Sequence, residues 1–560
     1  MPTRREMWEQ LGGEVDVLVV GGGIVGAGVA RDAVRRGLSV ALVEMRDLAY
    51  GTSSRSSKLV HGGLRYLEHY EFSMVFESVS ERRVLMDLAP HLVNPLGFLF
   101  PVYEGDRHNL FVINAGMWLY DGLSLFRSPK IHKNLKPKEV MEVEPTLDSR
   151  GLKGAPLFYD CSTDDARLTL ETALDAIAHG ATVATGAKVV RFLRGDDGRV
   201  CGAEVEDTLG DADRREIRAK VVINATGPWS DRVRELSPVP GRPKRSVLRP
   251  TKGIHAVVTH EKLPVAHAVT CFHPADERVL FALPWGDRTY LGTTDTDYQG
   301  DPADVAATGS DVDYLLEAAN HYFPDFPLER ADVISTWAGL RPLVAPPESA
   351  GVSESEVSRE HEILVGRDGL LTIAGGKLTT YRKMSAEVVD RAVDLLRLTG
   401  HVRHGQLSAS RTEREPLPGG QGWPADDDHS KVARMVSEAA RGTLDEDICA
   451  HLADTYGMRA LPLARTAAED ESARVRIVDG RPEIMGQIDW AVTKELAATV
   501  SDVLIRRTQL FYRDLDQALG AADTVAGRMA ELLGWSDAER KASIAAYRED
   551  VERSRRWRDD

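Results

Sequence analysis

The chain has 560 residues, 42% of them hydrophobic and 28% charged, with a formal net charge of −16. Such a length exceeds one hydrophobic core and predicts roughly two to four structural units. The composition is that of a soluble globular protein, and no apolar run reaches the roughly 20 residues that would cross a bilayer. The acidic balance makes nucleic acid a poor partner. Cys161, Cys201, Cys271 and Cys449 show no Cys-x-x-Cys spacing, so neither a zinc site nor a disulfide framework is expected. Met1 to Trp8 carries basic residues without a following apolar h-region, so no secretory signal is read and the cytoplasm is the expected location.

In chain order, Asp16 to Val20 is a short apolar, β-branched run of the kind a parallel strand buried on both faces requires. Gly21-Gly22-Gly23-Ile24-Val25-Gly26 follows and satisfies G-x-G-x-x-G. Gly21 makes the tight turn, Gly23 lets a pyrophosphate approach the backbone, and Gly26 lets the helix pack closely on the strand. The helix through Ala30, Ala33 and Val34 ends near Gly37 and aims its N-terminal N–H groups at the phosphates. A second strand, Ser39 to Val43, ends at Glu44, a carboxylate at about the 20-residue spacing used to bond ribose hydroxyls. This unit predicts a bound dinucleotide without separating FAD from NAD.

Phe72, Val75, Phe76 and Val79 share one face of a helix stopped near Pro90. Leu110 to Leu125, mostly apolar with Asp121 near its end, reads as a buried helix. Lys220 to Ala225 is another apolar strand, leading into Asn224-Ala225-Thr226-Gly227-Pro228-Trp229, an element of the kind flavoproteins set against the nucleotide. From Arg249 to Leu343, β-branched and polar residues alternate around Ala256-Val257-Val258 and Tyr290 to Thr294, predicting a sheet that covers the flavin. Leu371 to Ala374 is a third strand, and the following Gly375-Gly376-Lys377-Leu378-Thr379-Thr380 starts a helix whose dipole faces the flavin.

The Pro/Gly- and charge-rich passage between Gly400 and Asp428 reads as a linker. Beyond it the apolar spacing is helical: Val432, Met435, Val436 and Ala439, then Val525, Met529, Leu532 and Leu533 before Gly534. Ser536-Asp537-Ala538-Glu539 has the form of a capping box, and the last helix places Ile544, Tyr547 and Val551 on one stripe. Arg553, Arg555, Arg556 and Arg558 with Trp557 read either as a solvated helix end or as a contact for anionic headgroups. The expected fold is therefore α/β with α+β insertions: a Rossmann-type FAD-binding domain interleaved with a sheet-based substrate domain, plus a C-terminal α-helical domain. Residues 1–400 form the oxidoreductase region, with FAD-binding segments at about 14–70, 160–248 and 355–400 and substrate-binding segments at about 71–159 and 249–354. Residues 401–428 are the linker and 429–560 the helical domain.

Ser53-Ser54-Arg55-Ser56-Ser57-Lys58-Leu59-Val60-His61-Gly62-Gly63-Leu64-Arg65-Tyr66-Leu67 closely resembles the FAD-dependent glycerol-3-phosphate dehydrogenases. So do Gly292-Thr293-Thr294-Asp295, Trp337 to Leu343 and Gly375 to Arg382, and the likeness returns from Asp489-Trp490-Ala491-Val492 to Arg506-Arg507-Thr508. The resemblance implies a noncovalent FAD enzyme that oxidises sn-glycerol 3-phosphate to dihydroxyacetone phosphate and passes electrons to quinone, peripheral on the inner face of the cell membrane. It assigns the phosphate-binding arginine to Arg341 and substrate-side positions to Arg65, Tyr66, His255 and Lys377, with Arg359 as a further basic position. The cofactor contacts it implies are Gly21, Gly23, Ile24, Gly26 and Glu44; Thr52, Ser53, Ser54, Ser57, Leu59, His61 and Gly63; Ala225, Thr226, Gly227 and Trp229; and Gly376, Lys377, Leu378 and Thr379. No metal is called, and a homodimer is a further expectation.

These residue types suit the chemistry. A phosphomonoester is close to a dianion, which a planar guanidinium binds bidentately, and Pro342 biases Arg341 toward extended backbone. Hydride removal from C2 requires a group to take the hydroxyl proton. His255 has the ordinary pKa for that role, while Lys377 could stabilise the developing alkoxide or polarise the flavin. Two other readings stay open: an oxidase that gives its electrons to oxygen, and a non-catalytic or nucleic-acid-modifying FAD-fold protein.

Overall fold

A computed structural model of the chain describes residues 2–63, 70–124, 129–210, 212–238, 246–345, 361–403 and 405–560. Arg65, Tyr66, Arg359 and the end of the predicted 110–125 helix lie outside the described residues.

The apolar run before the glycines forms β1 (Glu14–Val20), followed by α1 (Ile24–Arg35) and β2 (Val40–Val43). Further along come α2 (Phe72–Leu88), β3 (Asn94–Leu99), α3 (Leu110–Leu123), β4 (Leu152–Ser162), α4 (Asp165–Ala178), β5 (Thr182–Ala184) and β6 (Arg214–Asn224). A long antiparallel set follows: β7 (Leu248–Thr259), β8 (Ala268–Phe272), β9 (Val279–Trp285), β10 (Arg288–Gly292) and β11 (Ser335–Val344). Then β12 (Glu362–Val365) and β13 (Leu371–Ala374) lead into α5 (Tyr381–Leu398).

Two sheets organise these strands. The first runs β12-β13-β6-β1-β2-β5, with β1 parallel to both β2 and β6, and β13 parallel to β6. Its central strands are buried on both faces, which explains their uninterrupted Val, Leu and Ile composition. α1, α4 and α5 pack together beside it through Ala27, Ala30, Ala33, Ala173, Val388 and Ala392, where small residues allow close approach. In the second sheet β7 lies between β10 and β11, while β3 pairs with β4 and β8. Strands of the two sheets alternate along the chain, as long insertions between nucleotide-binding segments require.

α4 departs from the usual rule that charge faces water. Every residue from Asp165 to Ile177 is buried, and its charges are met by partners from elsewhere. Asp165 takes Lys58 at 2.6 Å, Arg167 reaches Glu495 at 2.6 Å, Glu171 accepts from Arg459, and Asp175 is shared by Arg31 and Arg35, each at 2.7 Å. Pairing and hydrogen bonding are what make burial of such groups tolerable.

The C-terminal region is helical: His429–Ala439, Glu446–Tyr456, Ala460–Glu469, Met485–Lys494, a π-helical turn Asp502–Arg507, then Ala522–Leu533 and Asp537–Arg555. Gly534 caps its helix at φ 69°, and Ser536 with Glu539 forms the expected capping box. The Pro/Gly-rich passage ahead of this region is tied down. Leu417 is buried with its N–H on the Leu88 carbonyl at 2.9 Å, and the Gly419 N–H meets the Glu171 carboxylate at 2.8 Å.

One expectation needs correction and two are refined. α3 is a helix, but not a buried one: Met117, Tyr120 and Asp121 face inward while Phe111, Val112, Trp118 and Leu119 are exposed. Of the stripe on α2, Val75 and Val79 are buried whereas Phe72 and Phe76 are exposed beside Tyr70. The terminal arginines are engaged within the chain. Arg553 and Arg556 approach Asp304, Arg555 bonds Gln517, Arg558 bonds the Val333 carbonyl, and Trp557 is buried.

Candidate active site

At the carboxyl ends of β1, β2, β6 and β13 the chain encloses a cavity of about 640 Å³. Ligands of open parallel sheets bind in this position. The glycine turn forms one end. Gly21 adopts φ 110°, and a Cβ there would lie 2.6 Å from the Ala225 carbonyl oxygen. A Cβ on Gly26 would lie 1.9 Å from the Gly21 oxygen, so Gly26 fixes the approach of α1 to the turn from beneath and does not line the cavity. Gly23 precedes α1 without a capping side chain, and Ser53 fills that role by accepting the Ile24 N–H at 2.9 Å.

Glu44 stands at the end of β2 as expected, its carboxylate accepting the Gly22 N–H at 2.7 Å and the Arg46 N–H at 2.8 Å. Burial raises its pKa; these two bonds oppose that shift. Ala225, Thr226, Gly227 and Trp229 form a second wall. Trp229 packs close over Gly51, where a Cβ would lie 2.9 Å from the indole. The turn Gly376, Lys377, Leu378 and Thr379 forms a third wall. The Thr379 hydroxyl bonds both the N–H and the carbonyl of His61 at 3.2 Å. Leu59 and His61 also line the cavity, while Ser54 is buried behind it and Gly63 ends a described segment. Thr52 joins the two sheets through a 2.7 Å bond to the Leu340 carbonyl.

The far end of the same cavity is built from side chains on β7 and β11, which pair so that Thr251 faces Arg341 and His255 faces Trp337. The Arg341 guanidinium reaches Asp295 at 3.0 Å, the Thr293 hydroxyl at 3.1 Å and the Thr294 carbonyl at 3.2 Å. It lies across Gly253: a Cβ there would come within 2.6 Å of Nη2. Two residues on, and on the same face of β7, His255 stacks on Trp337 at 4.6 Å and holds the Ser57 hydroxyl through Nε2 at 2.9 Å. Gly292 opposite leaves room for the ring, since a Cβ there would lie 2.1 Å from Cδ2. Burial, then Arg341, then Lys58 push the His255 pKa well below the usual imidazole value, so the ring is neutral at physiological pH.

Arg341, His255 and Lys377 therefore converge on one cavity from three distant parts of the sequence. Sequence reasoning gave no role to Lys58. Its ammonium is buried against Asp165 and the rings of Trp337 and Tyr512, and the carboxylates of Asp165 and Asp164 outweigh burial to raise its pKa. Ser57, expected at the cofactor, has its hydroxyl on His255. Ala187 to Val189 also line the nucleotide end and were missed, because wall positions of this kind carry no distinctive side-chain pattern.

Bare glycine backbone at one end, a helix N-terminus, a carboxylate at the tip of β2 and a side-chain-built chamber at the other end define a flavin-nucleotide oxidoreductase fold. The cavity fits FAD: Gly21 and Gly23, which put no side chain into the space, line one end with the start of α1, and Glu44 stands at the tip of β2 beside them. Residues 16–382 match the FAD dependent oxidoreductase family, and residues 410–540 match the C-terminal domain of alpha-glycerophosphate oxidase. The chain is 38% identical to the aerobic glycerol-3-phosphate dehydrogenase of Staphylococcus haemolyticus over 528 residues, 94% of this chain and 92% of the relative. It is 37% identical to that of Staphylococcus aureus over 541 residues, 97% and 94% of the two chains. The glycerol-3-phosphate dehydrogenase from Bacillus halodurans, solved with FAD, superposes with a TM-score of 0.80 at 33% identity, covering 99% of this chain and 98% of that one. The chain belongs to the FAD-dependent glycerol-3-phosphate dehydrogenases.

Proposed function

We propose that this protein oxidises sn-glycerol 3-phosphate to dihydroxyacetone phosphate and delivers the electrons to quinone at a membrane surface. The observation that carries the reading is the juxtaposition of a guanidinium and a neutral imidazole on two paired strands at the end of the FAD cavity. When bound, FAD supplies the acceptor for the C2 hydride. Arg341 presents a fork of N–H donors to the phosphate, and Thr293 and Asp295 fix its plane. His255 accepts the C2 hydroxyl proton. Burial depresses this imidazole most and the Arg341 charge next; a phosphate dianion on Arg341 offsets the second cause, so the base strengthens when substrate is in place. Ser57 and Trp337 hold the ring, and Lys377 supplies positive charge to the developing alkoxide.

The exposed face of α3 supports the membrane assignment. Phe111, Val112, Ala115, Trp118 and Leu119 present apolar surface with no charged side chain among them, and Phe72, Phe76 and Tyr70 add to the exposed aromatic surface. Lys130, Lys133, Lys136 and Lys138 follow in a chain that is otherwise acidic. Aromatic and aliphatic groups beside cations suit an anionic bilayer interface. No helix among the described residues is long and apolar enough to cross a membrane.

Anaerobic addition of glycerol 3-phosphate is expected to bleach the flavin, and bleaching by an amino acid instead would overturn the substrate assignment. Reoxidation by a quinone analogue is expected to outpace reoxidation by oxygen; the reverse order would make the enzyme an oxidase. Flotation with anionic liposomes, lost in Trp118→Glu, tests the surface. Assembly as a homodimer is read by light scattering.

A further inference from the structure

The segment from Glu44 to Tyr50 forms the rim of the nucleotide end, and its inner side is fastened to the glycine turn. Glu44 accepts the Gly22 N–H, the Ala49 N–H bonds the Gly22 carbonyl at 3.0 Å, and Leu48 packs against Gly22. Tyr50 lines the cavity, 6.4 Å from the Trp229 ring. The outer side of the segment is held by a different part of the chain. The Asp47 carboxylate accepts from Arg506 Nε at 2.6 Å and from Arg507 Nη1 and Nη2 at 2.8 and 2.9 Å. All three residues are buried, and the Arg506 guanidinium also lies 5.6 Å from the Tyr50 ring centre.

Two neighbouring arginines meet one carboxylate because the backbone there is a π-helical turn, with the Thr508 N–H bonded to the Val503 carbonyl five residues back at 3.0 Å. The arginines are themselves oriented from behind: Asp502 accepts from Arg506, and the Glu495 carbonyl accepts Arg507 Nη2 at 2.8 Å. Burial opposes ionisation of Asp47, yet Arg507 and Arg506 outweigh it and hold the carboxyl below its ordinary range. The clamp is thus fully charged at neutral pH and carries no water-exposed component.

We propose that Arg506 and Arg507 are positioning residues for the cofactor: by clamping Asp47 they hold Glu44 and Tyr50 at the nucleotide end, so FAD retention depends on the C-terminal domain. The proposal rests on FAD binding, not on the identity of the substrate. Its test uses the full-length chain and recovery of free-flavin fluorescence to measure the FAD dissociation constant, with KM for glycerol 3-phosphate measured at saturating FAD. Asp47→Asn removes the one carboxylate that both buried guanidinium groups share, leaving Arg506 with Asp502 and Arg507 with the more distant Glu495, and is expected to weaken FAD binding by about tenfold or more. KM at saturating FAD is expected to change by less than about twofold, since Arg341 and His255 stand on the other sheet. Arg507→Lys keeps the charge and is expected to recover part of the affinity. Arg528→Ala, which breaks a partly exposed ion pair with Asp489 in the same domain, is expected to leave FAD binding unchanged.

Wild-type FAD affinity in Asp47→Asn overturns the proposal, as does an equal loss in Arg528→Ala or a parallel rise in KM, each of which means general loosening. If Asp47→Asn does not fold, Asp47→Glu, which moves the carboxylate by one methylene, is measured in the same way. It is expected to weaken FAD binding without changing KM, and unaltered FAD affinity in it also overturns the clamp.

Discussion

The two ends of the cavity are made differently. The nucleotide end rests on backbone: the glycines and helix N-terminus between β1 and β2, closed by the walls at Ala225 to Trp229 and Gly376 to Thr379. The end proposed for substrate is side chains, with His255 and Arg341 more than eighty residues apart in sequence and brought together by pairing of β7 with β11. A backbone cradle tolerates no added atom, whereas a side-chain chamber tolerates substitution but loses selectivity. Each end should therefore fail in its own way.

The largest expected effect is at the cradle. Gly26→Ala places a Cβ where the Gly21 carbonyl stands, and is expected to cost about 3 kcal/mol or more and to yield protein without FAD, read by thermal melting and by the flavin absorbance of purified protein. Retained FAD with an unchanged melting temperature would erase the contrast between the ends. Next is Arg341→Ala, expected to raise KM for glycerol 3-phosphate by roughly 100-fold, about 3 kcal/mol of charge-assisted binding, with the bound-flavin spectrum intact. Loss of FAD from this variant would mean that the two ends are not separable. Gly253→Ala adds a methyl beneath the guanidinium and is expected to raise KM by about tenfold while leaving FAD and stability close to wild type. An unchanged KM would show that the guanidinium can shift freely.

The remaining comparison is read in the shape of the pH profile. His255 has a folded pKa well below 6.5, so its neutral form persists in the free enzyme to that side of 6.5. The acid limb of kcat/KM that belongs to it is expected below pH 6.5 and is expected to disappear in His255→Asn. The same shift destabilises the fold on acidification: stability present above pH 6.5 is lost as pH falls toward the folded pKa, because the unfolded chain takes up the proton first.

The contrast also explains what could be read in advance. The cradle is legible because its function imposes composition locally: only glycine suits φ 110° at Gly21 and the contact at Gly26, and only a β-branched run suits a strand covered on both faces. Arg341 and His255 were nameable only through resemblance, since the register that sets Arg341 opposite Thr251 and His255 opposite Trp337 is a property of the sheet. Gly253 and Gly292 were passed over, although each is empty space kept for a neighbouring side chain. Periodicity found α3 and the C-terminal helices but misjudged which side of α3 is covered, because an apolar face records affinity for apolar surroundings and not what supplies them. The charges of α4 were invisible for the opposite reason: Asp, Glu and Arg are ordinarily outside, and only their partners hundreds of residues away hold them within.

The π-turn at Asp502–Arg507 has a consequence for how this chain can change over time. Its wide ring holds one residue more than an α-helical turn, and its side chains serve two purposes at once: Val503, Leu504 and Ile505 are buried in the apolar core while Arg506 and Arg507 reach Asp47. A one-residue deletion in this turn is expected to cost buried apolar packing and the register of both arginines against Asp47 together. Length in this helix is therefore under a constraint that composition does not reveal, and a lineage that lost the residue would need a new cation beside the glycine turn.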